Sequence, residues 1–109
     1  MHEKSETLIH RLIDKTQNQE LQWRETSRLA QYILTLSHNT ILVERSSTSV
    51  SVRYKFTILG ENDVEIESIS KSLSSSDSDL ELIRRLYEMA RRSARHIDQA
   101  IDNILSELG

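Results

Sequence analysis

The chain reads as an α+β domain: a four-stranded antiparallel meander flanked by an N-terminal helix and a long C-terminal amphipathic helix. Three patterns carry that reading. Apolar residues fall at Leu80, Ile83, Tyr87, Ala90, Ala94, Ile97, Ile101, Ile104 and Leu108. This unbroken alternation of threes and fours keeps one helical stripe on one partner surface. Val50, Val52, Tyr54, Phe56 and Ile58 alternate with Ser51, Arg53, Lys55 and Thr57, the period of a strand buried on one side. Leu8, Ile9, Leu12 and Ile13 form the apolar face of a short first helix.

The first segment, 1–17, is helical from about Ser5, whose hydroxyl is the expected N-cap. Thr16-Gln17-Asn18-Gln19 breaks the pattern, and Leu21 and Trp23 follow in an extended or irregular stretch. Trp23 is expected as a plug between helix and sheet.

The meander occupies 29–70. A two-residue turn at His38-Asn39 would pair Leu36 with Ile41 and Leu34 with Val43, all on one face. Ser46 to Ser49 connects to the second hairpin. There a three-residue loop, Gly60-Glu61-Asn62 with Asn62 left-handed, would pair Ile58 with Val64 and Phe56 with Ile66.

Residues 71–78 read as a Ser-rich linker ending in a capping box, Ser78 to Glu81. The helix over 79–108 follows. Measured from Ser78 to Leu108 it would run about 46 Å, overshooting strands of roughly 17–27 Å. Something must cover the excess stripe, and a second copy of the chain is the economical candidate.

Composition limits the chemistry. Within 109 residues there is no Cys and no Pro, and glycine occurs only at Gly60 and Gly109. Thiolate ligands, disulfides and a Gly-rich phosphate loop are excluded. Aromatics are 5 %, so the core must be built from Leu and Ile. The polar start and apolar runs of no more than three residues point to a cytoplasmic protein without a membrane span. A net charge of −3 argues against a dedicated DNA-binding protein.

His2, His10, His38 and His96 form no metal-ligand spacing, and no nucleophile elbow is present. No catalytic, cofactor or metal residue is assigned. The last helix carries Arg84, Arg85, Arg91, Arg92 and Arg95 between acidic ends. One reading is a solvated face laced by ion pairs such as Glu88–Arg92 and Arg95–Asp98. The other is recognition of carboxylates or phosphates, for which arginine's planar fork is suited.

Leu21-Gln22-Trp23 after a short helix, the meander, and the run Leu86 to Ala94 with Asp98, Ile101, Asp102, Ile104 and Leu105 resemble a group of small bacterial proteins of unknown function. That group shares a "KLxW" segment and a terminal "LYxxARRxAxxxDxxIDxIL" helix. The resemblance implies the architecture and a bacterial origin, and it brings no activity.

The expected function is a non-enzymatic protein–protein interaction or regulatory module, homodimeric through the last helix, with a further protein partner unidentified. The interaction residues would be Arg84, Tyr87, Arg91, Ala94, Arg95, Ile97, Asp98 and Ile101. Antiparallel packing about a point near Arg92 would bring Arg84 and Arg85 close to Asp98 and Asp102 of the second copy. The second reading is a nucleic-acid-associated regulator using the arginine stripe.

Overall fold

Helix α1 (Glu3–Gln17) starts where the His2 ring can cap it: Nδ1 accepts from the Lys4 N–H at 3.1 Å. This is one turn earlier than the Ser5 cap expected from the sequence. Ser5 lies inside the helix, buried, and its hydroxyl donates to Glu67 at 2.8 Å. The computed structural model describes residues 1–74 and 77–109.

The sheet is antiparallel and has five strands rather than four: β1 (Arg24–Glu25), β2 (Gln31–Thr35), β3 (Thr40–Ser47), β4 (Val52–Leu59) and β5 (Glu65–Ser72), in that spatial order. The added strand, β1, is a two-residue extension of the Trp23 segment that pairs Arg24 with Ile33. A pair that short has no alternation to read, so pattern alone could not reveal it.

Both hairpin registers differ from the sequence expectation. In β2–β3, Leu34 faces Ile41 and Tyr32 faces Val43. The turn is four residues long, closed by the Leu36 N–H donating to the Asn39 carbonyl at 2.8 Å. A slip of two residues leaves the faces unchanged, so the core residues stay inside. Leu36, however, ends up 41 % exposed.

The β4–β5 change is larger. Asn62 is left-handed as expected (φ 65°), but so is Asp63 (φ 59°), and the Gly60 N–H closes the turn on Val64. A bulge beside Ile58 and Leu59 then reverses the parity of β5. Phe56 pairs with Ile69 and Ile58 with Glu67, while Val64 and Ile66 face solvent. Ile66 lies over Gly60, where a Cβ would meet its Cδ1 at 3.0 Å, so a larger residue there would have to shift the exposed Ile66 side chain.

Val50 belongs to the β3–β4 turn and is 89 % exposed. Strand β5 also takes up Ser68 to Ser72, so pairing with β4 carries the chain into the expected linker. Ser75 and Ser76 of that linker lie outside the described residues.

Helix α2 (Ser78–Ala94) is capped by Asp77, not Ser78. The carboxylate accepts from the Leu80 N–H at 2.8 Å, which holds the Asp77 pKa below its ordinary value. A charged acceptor at a helix start is the stronger cap. The largest correction comes at the other end: the helix stops at Ala94, His96 turns left-handed, and a separate α3 (Ile97–Leu108) follows.

Helices α1 and α2 lie side by side on one face of the sheet. Their N-termini adjoin, with the Met1 amine 2.9 Å from Asp79, and their C-termini meet at Trp23. The core beneath holds Ile9, Leu12, Ile13, Ile41, Val43, Phe56, Leu80, Ile83 and Leu86. Tyr87 sits in it between Tyr32 and Tyr54, with ring centroids 5.5 and 5.4 Å away. No helix among the described residues is long and apolar enough to cross a membrane.

Burial, and then the neighbouring Tyr32, push the Tyr87 phenol up to about 12. Its ordinary value is 10.0, so the folded chain keeps this proton longer than the unfolded one. The resulting stabilisation is complete below about pH 10 and is lost as pH rises toward 12. Thermal unfolding measured across that interval should therefore show a falling midpoint, and Tyr87→Phe should make the fall shallower.

Candidate interaction surface

The end of α2 is held by residues from the opposite end of the chain. The Trp23 backbone N–H donates to the Ser93 hydroxyl at 3.0 Å, and that hydroxyl lies 3.4 Å from the Leu21 carbonyl. Gln22 sends its side-chain amide to the Ser93 carbonyl at 2.9 Å and to the Trp23 carbonyl at 3.1 Å. In a continuing helix, the Ser93 carbonyl would receive the N–H of Ile97. Here it takes Gln22 and the His96 N–H instead, and the helix ends.

Trp23 links the same junction to α1. It is fully buried, as expected, and its indole N–H donates to the Thr16 hydroxyl at 3.0 Å. Thr16 passes its own proton to the Leu12 carbonyl at 2.6 Å. Every polar atom in this chain of contacts has a partner, which makes the burial tolerable. A crevice of about 460 Å³ opens beside it, lined by Thr16, Leu21, Gln22, Met89, Arg92 and His96 among others.

His96 itself has φ 52° and ψ 40°, a left-handed conformation that Cβ makes unfavourable. Two ion pairs hold the bend. Arg92 binds Asp98 across it, and Arg95 donates to Glu25 on β1 at 3.1 Å.

The eight residues expected to interact fall into three groups. Tyr87 is buried in the core and Ala94 is half-buried against it. Arg84 pairs with Glu81, Arg95 with Glu25 and Asp98 with Arg92, which leaves Arg91, half-buried, as the remaining arginine of the set. Ile97 is half-buried and Ile101 is 43 % exposed, both on α3. The α2 part of the stripe is thus absorbed by the chain's own sheet. A straight antiparallel pairing about Arg92 would require α2 to turn this buried side outward.

What remains uncovered is α3. At 100° per residue, Ile97, Ala100, Ile101, Ile104, Leu105 and Leu108 fall within an arc of about 140°. Asp98 and Asp102 border it on one side and Glu107 on the other. Ile104, Leu105 and Leu108 are 55, 59 and 78 % exposed. The expected set holds Ile97 and Ile101 but not the exposed Ile104, Leu105 and Leu108, although the periodicity placed Ile104 and Leu108 on the stripe. Comparison with protein-family models, curated proteins and solved structures finds no match to this chain.

Two outcomes test the junction. Trp23→Ala should lower unfolding free energy by about 3–5 kcal/mol in denaturant titration, the range for deleting a large buried aromatic. His96→Gly should raise it by about 1 kcal/mol, because glycine adopts the left-handed bend without the Cβ clash.

Proposed function

We propose that the protein is a non-enzymatic interaction module, that its working surface is the uncovered face of α3, and that two copies associate there. The observation that carries this is the exposed row Ile101, Ile104, Leu105 and Leu108 on a helix that otherwise contacts little. A helix of 12 residues is marginal in water by itself and needs an apolar surface to cover it. Thr16, Gln22 and Ser93 beside the nearby crevice are engaged in holding the fold together, which favours an interaction role for the chain. A cytoplasmic location goes with this reading, supported by the absence of cysteine.

Magnitudes set the character of the association. Full burial of a Leu or Ile side chain contributes about 1.5–3 kcal/mol, and these are already partly covered, so each adds on the order of 1 kcal/mol. Both protomers together gain roughly 8 kcal/mol, comparable to the translational and rotational cost of association. The α3 contact alone therefore makes a weak, concentration-dependent pair. The arginine row gives less support to a nucleic-acid partner, because Arg84, Arg92 and Arg95 already hold carboxylates.

Sedimentation equilibrium at tens of micromolar provides the test. Ile104→Asp should lower the weight-average mass relative to the native chain, while the two chains should unfold at similar midpoints once diluted below the association range. An unchanged mass would defeat the reading.

A further inference from the structure

Strand β5 is the outer strand of the sheet, and its far side is uncovered among the described residues. The opposite edge, β1, is only two residues long, which by itself discourages pairing. β5 is eight residues long and contains no proline. The Leu73 N–H donates to the Val52 carbonyl at 2.7 Å, and this sets the parity of the strand. Odd-numbered residues turn their N–H and C=O toward β4; Ser68 and Ser70 turn theirs toward the open edge. Both serines are exposed.

We propose that this edge pairs with the same edge of a second copy, antiparallel, about a twofold axis at Ile69, joining two sheets into one of ten strands. Ladder parity and the facing of the side chains permit that register, and a charge match singles it out. The outward N–H and C=O groups of Ser68 meet those of Ser70 of the second copy, so the ladder continues with correct parity. Side chains on the helix side meet others on the helix side, and Ile69, half-buried against the core, meets its own equivalent at the axis. Glu67 comes opposite Lys71 of the second copy, and by symmetry Lys71 comes opposite Glu67.

Charges on an edge strand ordinarily repel a second copy. These two, four residues apart about the central isoleucine, instead attract it twice. A slip of two residues along the ladder keeps the hydrogen bonds but loses that match. Both side chains are already held on the helix face: Glu67 by the Ser5 hydroxyl at 2.8 Å, and Lys71 by Asp77 at 3.4 Å and Asp79 at 3.9 Å. The partner is a second copy because an unrelated strand would match the backbone but have no reason to carry this charge pattern. This surface is separate from α3, so a chain using both would assemble beyond a dimer.

The chain has no cysteine, so one introduced thiol reports on one site. At the axis, non-hydrogen-bonded Cα atoms lie about 4.5 Å apart, within disulfide range. Ile69→Cys under diamide should form a covalent dimer roughly tenfold or more faster than Val50→Cys, a thiol on an exposed turn. It should do so equally in the Ile104→Asp chain, which separates this edge from the α3 contact. Adding Lys71→Glu, or separately Glu67→Lys, should slow the cross-link. Mixing the two charge variants should restore it, because opposite charges then meet at both positions. Equal rates for Ile69→Cys and Val50→Cys, as an added strand from another protein or an empty edge would give, overturn the proposal. So does a mixture that cross-links no faster than either variant alone.

Discussion

The Trp23 backbone N–H and the Ser93 hydroxyl form the contact on which the rest of the structure depends. It ties the segment after α1 to the last turn of α2, and the Trp23 indole carries the tie onward to Thr16 on α1. Apolar contacts between two parallel helices are non-directional and tolerate sliding. Directed hydrogen bonds at the C-terminal ends, with Met1 and Asp79 at the other, set how far α1 and α2 are shifted along each other. That shift decides which side chains enter the core and places Tyr87 between Tyr32 and Tyr54.

The same contact determines what is left for a partner. At the end of α2 the Ser93 carbonyl accepts from Gln22 and from the His96 N–H, a tight last turn, and α3 leaves the body at the His96 bend. The cost of a left-handed histidine is met only in part by the Arg92–Asp98 and Arg95–Glu25 pairs. Since both pairs are largely exposed, each contributes only tenths of a kcal/mol, and the hydrogen bonds at Ser93 remain the stronger constraint. An apolar stripe that would have been one continuous seam is divided, with α2's part buried and α3's part open.

Two surfaces remain that the chain cannot satisfy alone: an apolar helical face and a strand edge. They differ in kind. The first gains by area and accepts any apolar cover, so its affinity is modest and its selectivity low. The second gains through hydrogen bonds in fixed register and through two charge pairs, so it discriminates by alignment.

The periodicities determined a good deal without any structure. The helices of 1–17 and 79 onward, the alternation of β4, the burial of Trp23 and the left-handed Asn62 all follow from residue order, because side-chain direction within a helix or strand is a local property. The resemblance built on Leu21-Gln22-Trp23 and on the Ala90 to Ala94 stretch had both halves of the junction in view. It could not show that they touch. Register, by contrast, depended on a bulge that reverses the faces of β5, and β1 depended on a neighbour to pair with. At the end of α2 the Ser93 carbonyl accepts from Gln22, 71 positions away. No Gly or Pro marks that end, and the stripe runs through it unbroken. Only tertiary structure places the end there, because the groups gathered around it, Gln22 and Trp23, come from the other end of the chain.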